Sequence, residues 1–127
     1  MNYLLDTHTY LWWLAEPGRL SKQVREALED QNVAAFVSMA SFWEIAIKSS
    51  LGKLNLSRGV ELLEAELGVD GFSLLPIRTI HCGGVVGLPF HHRDPFDRLL
   101  ISQARQEALV LLSCDTIFDA YGVSRIW

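Results

Sequence analysis

Acidic residues stand at several points where predicted structural elements meet, and these are the residues of the sequence best suited to chemistry. Asp6 ends a short apolar run, Glu44 lies early in a helix-like segment, and Asp115 follows the apolar run LVLLS after one intervening residue, Cys114. Asp94 and Asp97 lie close together in the stretch HHRDPFDRLL. Mg²⁺ and Mn²⁺ take carboxylate oxygens as ligands, and such an ion can hold a phosphodiester and activate a water for in-line attack. Asp6, Glu44, Asp97 and Asp115 are therefore candidate metal ligands and catalytic residues.

Strand-like and helix-like segments alternate along the chain and are predicted to position these acids. Strands are predicted at residues 2–5, 33–37, 72–77, 109–113 and 123–126. Helices are predicted from Asp6 to about residue 15 and at 21–30, 38–51, 57–67, 79–88, 94–107 and 115–121. Near-continuous apolar strands separated by helices are typical of a parallel sheet covered on both faces. With 127 residues, half of them hydrophobic, the chain is expected to form one α/β domain over residues 1–127.

The four candidate acids fall on one predicted rim of this sheet. The carboxyl ends of parallel strands and the helix N-termini beyond them form a rim where open α/β sheets bind their ligands. Carboxylates gathered there repel one another unless a positive charge lies among them. The pattern therefore favours a bound divalent cation.

Helix capping is the alternative role for each acid taken alone. Asp6 and Asp115 each precede a helix-like segment, and Ser41 with Glu44 has the S-x-x-E form of a capping box. Caps are interchangeable among Ser, Thr, Asn and Asp, whereas here an acid recurs at successive junctions. That recurrence favours the metal site over capping alone.

The pair Asp94 and Asp97 is expected to divide the two roles. Asp94 suits an N-cap, Pro95 suits the first helical position, and Asp97 then lies in the first turn, where the helix dipole favours a negative charge. We assign Asp94 to capping and to support of the site, and Asp97 to metal binding.

Four stretches of the sequence resemble the PIN-domain ribonucleases, in order and nearly from end to end. The match is best to the VapC-type toxins of bacterial toxin–antitoxin pairs. The stretches are LLDTHTYLWWL (4–14), SFWEIAIKSSLGKL (41–54), HRDPFDRLLISQA (92–104) and LLSCDTIFDAYGV (111–123). The resemblance implies a three-layer α/β/α sandwich with a mainly parallel central sheet. It also implies Mg²⁺- or Mn²⁺-dependent cleavage of RNA, leaving a 5′-phosphate and a 3′-hydroxyl, and neutralisation by an antitoxin protein.

The resemblance also implies roles for individual residues. The family's four acids fall on Asp6, Glu44, Asp97 and Asp115, and its small hydroxyl residue falls on Ser113. Asp6, Asp97 and Asp115 are expected to hold the ion, with Glu44 as a ligand, a water-mediated ligand or a base. The ion would activate the attacking water, so no nucleophilic side chain is required.

Two arginines and the overall charge bear on RNA binding. Arg93 and Arg98 flank the predicted site and are candidates for phosphate contacts, with ion pairs to the neighbouring aspartates as the alternative. The chain has 15 Asp+Glu and 11 Lys+Arg, a net charge of −4, whereas nucleic-acid binders usually show a basic face. Without the four site acids the two counts are equal, and a bound cation would make the pocket attract phosphate. A folded or sequence-defined RNA read by its shape is the expected substrate.

Aromatic residues suggest a surface for protein partners. Trp12 and Trp13 lie within four consecutive apolar positions, which point all around a helix axis, and Phe42 and Trp43 repeat this excess on another helix. The functional interpretation is an apolar groove for an antitoxin helix or a homodimer face. The alternative is that large aromatic residues fill the edge of the core.

Other functional classes find little support in the sequence. His81-Cys82 and His91-His92 fit no zinc spacing, CGGVVG is not a dinucleotide fingerprint, and its glycines are expected to allow close helix packing. His91 and His92 are expected to be solvated or to neighbour phosphate. A catalytically silent PIN-like module that binds RNA or protein is the main alternative to the enzyme. A receiver-like phosphoacceptor domain fits poorly because Asp6 has no adjacent acid.

The remaining features indicate the compartment. The chain opens with MNYLLDTHTY, without a basic leader, and has no apolar run long enough to span a bilayer. Its two cysteines fit no disulfide framework. We expect a cytoplasmic protein.

Overall fold

Five strands form one fully parallel sheet. The computed structural model describes residues 1–127. The strands are β1 (Tyr3–Leu5), β2 (Ala35–Ser38), β3 (Phe72–Leu75), β4 (Val110–Leu112) and β5 (Arg125–Ile126). Their order in the sheet is β3-β2-β1-β4-β5, and each neighbouring pair is parallel. The predicted parallel α/β sheet is confirmed.

Helices connect the strands on both sides of the sheet. They are α1 (Thr7–Ala15), α2 (Lys22–Glu29), α3 (Met39–Ser50), α4 (Val60–Glu66), α5 (Thr79–Val86) and α6 (Pro95–Glu107). Short 3₁₀ segments cover Pro17–Arg19 and Thr116–Tyr121, so the helix expected at 115–121 is a 3₁₀ helix. None of the helices combines the length and the apolar character needed to cross a membrane.

Two hydrophobic clusters pack against opposite faces of the sheet. Leu5 belongs to the cluster that also contains Tyr10 and Val24, whereas the preceding residue Leu4 belongs to the cluster with Leu100 and other residues of α6. Successive strand residues point to opposite faces, so adjacent leucines serve different layers. The three-layer α/β/α arrangement is therefore confirmed.

The order in which strands are added to the sheet reverses at β1, with β2 and β3 on one side and β4 and β5 on the other, and this feature positions the site. β1 pairs with β2 on one side and with β4 on the other, with Leu5 opposite both Val37 and Leu112. The chain therefore leaves β1 and β4 next to each other. Open α/β sheets bind ligands in the crevice outside such a switch point. Asp6 lies at this crevice, directly after β1, and its N–H donates to the Leu112 carbonyl at 3.2 Å.

The helix ends agree with the sequence in most places. The Ser21 hydroxyl accepts from the Val24 N–H at 3.1 Å, as predicted for a cap. At α3 the cap is Ser38, whose hydroxyl accepts from the Ala40 N–H at 3.0 Å. The alternative capping box of Ser41 and Glu44 is therefore wrong, because α3 begins two residues before Ser41.

Close packing of α5 against α6 depends on a glycine. A Cβ on Gly84 would clash with the Ser102 hydroxyl, which donates to the His81 carbonyl at 2.6 Å. This explains part of CGGVVG: its glycine allows two helices to approach, as the sequence suggested.

Candidate active site

A pocket of about 420 Å³ lies outside the carboxyl ends of β1 and β4. We call it the acid pocket. It brings together three of the four predicted catalytic acids, together with the capping acid, two histidines and two further side chains: Asp6, Asp97, Asp115, Asp94, His8, His92, Trp12 and Cys114. The location is the one expected from the strand order.

Asp6 is the most deeply buried acid of the pocket. It is the N-cap of α1, and its Oδ1 accepts from the Thr9 N–H at 2.8 Å. Burial raises the pKa of Asp6, while hydrogen bonds from Ser113 and Thr9 oppose the rise. Ser113 therefore lies beside Asp6 and within hydrogen-bonding reach of its carboxyl group. Capping and site formation are combined in one side chain.

Asp97 lies in the first turn of α6 and faces the same pocket. Burial raises the pKa of Asp97 to about 6; a hydrogen bond from His92 opposes the rise, and the negative charges of Asp94 and Asp6 add to it. The His92 Nε2 and the Asp97 Oδ2 are 2.7 Å apart. Asp6 and Asp97 are therefore close enough for each charge to disfavour the other.

Asp94 and Asp115 both act as caps at the edge of the pocket. The Asp94 Oδ1 accepts from the N–H groups of Phe96 and Asp97 at 2.8 and 3.1 Å, which confirms its predicted capping role. Asp115 is exposed, and its Oδ1 accepts from the Ile117 N–H at 3.1 Å. For these two acids the capping and metal-binding interpretations are compatible.

Glu44 does not line the acid pocket. Its Oε2 accepts from the Lys48 ammonium at 2.6 Å, one helical turn further along α3. Its Oε1 is buried and has no hydrogen-bond partner. The Thr7 hydroxyl donates to Ser41, one turn before Glu44 on the same helix, at 2.9 Å, so this face of α3 meets the start of α1 beside Asp6.

The donor set fits a hard divalent cation. The carboxyl groups of Asp6 and Asp97 are largely withdrawn from water, and the Asp6 charge helps to raise the pKa of Asp97. Neither carboxyl pairs with a lysine or an arginine, and the basic groups that act on them are His8 and His92. A ligand atom of His92, one of Asp94 and one of Asp97 also lie within 4.8 Å of one another. Carboxylate oxygens in this number suit Mg²⁺ or Mn²⁺. Asp6 and Asp115, the other aspartates expected to hold an ion, line the same pocket but do not belong to this group.

The phosphate role predicted for Arg98 is wrong. The residue is 5% exposed, and its guanidinium donates to the carbonyls of Leu88, Pro89 and His92 at 3.1, 2.8 and 3.2 Å. It also lies over the Phe90 ring, with its central carbon 4.1 Å from the ring centroid. Both terminal nitrogens of the guanidinium donate hydrogen bonds within the protein.

Arg93 has the opposite environment. It is exposed and makes no ion pair with either neighbouring aspartate, so the alternative of a surface pair is wrong for Arg93. Its guanidinium remains available to a ligand at the edge of the pocket.

The four predicted aromatic groove residues do not form one groove. Trp13 packs edge-on against Phe72 in the core, with ring centroids 5.2 Å apart, and Trp12 packs against Trp127 at 5.6 Å beside the acid pocket. Phe42 is buried, whereas Trp43 is 61% exposed. A separate apolar groove, here called the α3 groove, is lined by Met39, Phe42, Trp43, Ala46, Val60 and Ile77.

Sequence reasoning missed the specific contact that His92 makes with Asp97, because it treated His92 as a solvated residue. The His92 N–H donates to the Tyr121 hydroxyl at 2.8 Å, and the His92 ring packs edge-on against Phe118. His81, by contrast, is fully buried and pairs with Glu107 at 2.9 Å. No local spacing signals a contact between residues 92 and 121.

Comparisons with known proteins agree with this geometry. The sequence profile of the PIN domain matches residues 3–123. Ribonuclease VapC22 of Mycobacterium tuberculosis is 30% identical over 113 residues, which cover 88% of this chain and 85% of that protein.

Two solved structures have the same fold. VapBC2 from Rickettsia felis, bound to a DNA fragment from its promoter, has a TM-score of 0.70 at 16% identity, covering 99% of this chain and 98% of the other. A toxin–antitoxin complex from Klebsiella pneumoniae has a TM-score of 0.57 at 15% identity, covering 90% and 87%. The match of the PIN profile over nearly the whole chain, on a fold whose crevice gathers the acids, places this protein in the PIN-domain family.

Proposed function

We propose that this protein is a divalent-metal-dependent endoribonuclease that acts as the toxin of a toxin–antitoxin pair. The observation that carries the proposal is the acid pocket, where buried Asp6 and partly buried Asp97 lie with two further aspartates and neither pairs with a lysine or an arginine. The similarity to a ribonuclease of the VapC group supports the same conclusion. RNA as substrate makes the cytoplasm the proposed place of action.

Asp6, Asp97 and Asp115 are the proposed ligands of Mg²⁺ or Mn²⁺. When bound, the ion would supply Lewis acidity toward water and toward a phosphate oxygen. The chain's own residues prepare this site: Ser113 and the Thr9 N–H orient Asp6, and the first turn of α6 holds Asp97. Glu44 is proposed to act through its unpartnered Oε1, by way of a water.

Basic side chains beside the acid pocket suit a polyanionic substrate. A neighbouring cleft shares His8 and Trp12 with the acid pocket and is also lined by Arg19, Lys48 and Lys53. Arg19 is paired with Glu16 and Lys48 with Glu44, so Lys53 is the cation of this cleft that forms no ion pair. We propose that this cleft binds RNA phosphates on one side of the cleaved bond, which is the electrostatic term that supplies most affinity for nucleic acids.

The α3 groove is the proposed docking surface for the antitoxin. Trp43 and Met39 are 61% and 37% exposed there, next to buried Phe42, and an amphipathic helix binds such apolar grooves. A homodimer is the second proposed assembly. Size-exclusion chromatography with light scattering on the isolated chain decides the homodimer, because a monomer at micromolar concentration would contradict it.

RNA cleavage by the purified chain tests the enzyme proposal. Cleavage should require Mg²⁺ or Mn²⁺, leave a 5′-phosphate, and fall at least about a thousandfold in Asp6→Asn and Asp97→Asn, because each removes a charged ligand. Asp30→Asn, an exposed aspartate between α2 and β2, is the matched control and should retain activity. Equal activity in all four folded proteins, or none in the wild type, would support the silent module.

The same assay examines the partner. The cognate antitoxin, sought as a small protein encoded by a neighbouring gene, should inhibit the wild type. Trp43→Glu should retain cleavage but escape inhibition, because a charge is placed in the apolar groove. Full inhibition of Trp43→Glu would rule out the α3 groove as the docking surface.

A further inference from the structure

A histidine next to the acid pocket is held in place by an unusually large number of contacts. His92 lies in the turn before α6, and its ring is about a quarter exposed, with a side-chain exposure of 23%. Its Nε2 is 2.7 Å from the Asp97 Oδ2. Since an ionised carboxylate only accepts hydrogen bonds, Nε2 carries a hydrogen and donates a hydrogen bond to Asp97.

Buried groups fix the backbone that carries this ring. The Tyr121 hydroxyl accepts from the His92 N–H and donates to the Pro89 carbonyl, both at 2.8 Å. The Arg98 guanidinium donates to the carbonyls of Leu88, Pro89 and His92. The loop of residues 88–92 thus surrounds the Arg98 guanidinium. We call this set of hydrogen bonds between Arg98 and the loop the Arg98 clamp. Such a loop holds its side chains in one place.

We propose that His92 is a positioning residue of the active site, which fixes the Asp97 carboxylate for metal binding while the Arg98 clamp fixes His92. This inference rests on the proposed function. In this role His92 orients a metal-binding carboxylate through a hydrogen bond. Carboxylates that ligate metals commonly depend on such partners, and losing one typically weakens metal binding about 10- to 100-fold.

The contact with Asp97 explains why a histidine suits this position better than a lysine or an arginine would. The His92 imidazole donates a hydrogen bond to one carboxylate oxygen of Asp97. A neutral imidazole adds no full positive charge, so the carboxylate stays attractive to a divalent ion. Glu44 has the contrasting arrangement, with a lysine on its Oε2. His92 therefore orders Asp97 without occupying the place of the metal.

Mn²⁺ affinity, measured by titration calorimetry on the full chain, tests the proposal independently of RNA cleavage. His92→Ala should bind Mn²⁺ about 10- to 100-fold more weakly than the wild type. His92→Gln, whose amide N–H lies near the position of Nε2, should recover affinity to within about fivefold.

Two further variants separate the hydrogen bond from packing of the loop. His91→Ala is the matched control, because His91 is exposed and its ring packs on Tyr121 at 5.3 Å without touching Asp97; its affinity should stay within about twofold of the wild type. Tyr121→Phe removes the acceptor of the His92 N–H and should weaken Mn²⁺ binding, but less than His92→Ala does.

Several results would overturn the proposal. Equal Mn²⁺ affinity of folded His92→Ala and wild type would exclude a positioning role, and His92→Gln as weak as His92→Ala would indicate that the ring itself ligates the metal. If the wild type binds Mn²⁺ but cleaves no RNA, the proposed function is wrong. The Mn²⁺ affinities of the four variants would still test the positioning role of His92. A wild type that binds no Mn²⁺ overturns both.

Discussion

Asp97 and Glu44 are both withdrawn from water near the same end of the sheet, but their negative charges are compensated differently. The Glu44 side chain is 4% exposed and pairs with the Lys48 ammonium at 2.6 Å. The Asp97 side chain is 20% exposed and is bonded to an imidazole at 2.7 Å. Lysine brings a full positive charge, whereas a neutral imidazole brings only a donor. Burial raises the pKa of Asp97 to about 6, and the contact with His92 offsets only part of that rise.

The comparison shows that one fold can neutralise one buried carboxylate with a lysine and leave others without such a counter-ion. On α3 the counter-ion belongs to the same helix, so Glu44 is neutralised whether or not a ligand is present. In the acid pocket Asp6 and Asp97 have hydrogen-bond donors but no lysine or arginine partner, so a divalent ion would offset both the cost of burial and the repulsion between carboxylates. The metal-binding chemistry is therefore expected to concentrate on the aspartates.

Removing the ammonium from Glu44 should give the largest change in stability. Lys48→Met keeps the alkyl chain but leaves a buried carboxylate unpaired, so we expect the free energy of unfolding at pH 7 to fall by about 3 kcal/mol. Urea denaturation measures it. Adding Glu44→Gln to Lys48→Met should restore most of the loss. A single variant within about 0.5 kcal/mol of the wild type would mean that Glu44 needs no counter-ion.

The corresponding test on Asp97 uses pH, in protein freed of metal by a chelator. A carboxyl group whose pKa is raised in the folded state binds more protons there than in the unfolded chain, so its ionisation destabilises the fold as pH rises from about 4 to about 6. Asp97→Asn lacks this penalty and should be about 2 kcal/mol more stable than the wild type at pH 7. That advantage should shrink toward pH 4. A constant difference across this range would contradict the assignment.

Asp115 should give the smallest effect on stability. It is exposed, so water already compensates its charge, and asparagine caps a helix about as well as aspartate. Asp115→Asn should therefore change the free energy of unfolding by less than about 0.5 kcal/mol, measured in the same urea titration. Its Mn²⁺ affinity should nevertheless fall, which separates the capping role from metal binding. Unchanged affinity would leave Asp115 as a cap alone.

Much of the fold was predictable because its signals are local. The apolar strands, the Ser21 cap and the acids that follow β1 and β4 depend on residues a few positions apart, and the structure contains all three. The Lys48 partner of Glu44 was also open to prediction, since residues four apart face each other on a helix.

The rest of the site depends on distant residues. Arg98 follows an aspartate in a charged stretch, which suggests a surface residue, yet the tertiary fold surrounds it with carbonyl groups of residues 85–92. Tyr121 reaches His92 across 29 positions. Such contacts are set by how α6 packs against α5 and the 3₁₀ segment, and no spacing in one sequence reveals them.

The Arg98 clamp has a consequence for how the protein opens. Since one guanidinium on α6 binds carbonyls from the end of α5 and from the loop, that loop cannot separate from the helix without exposing a buried charge whose partners are all lost together. Loops usually open with little free energy, independently of the core. Here the region beside the acid pocket belongs to the same cooperative unit as the interior helix, so the site persists for as long as the domain itself stays folded.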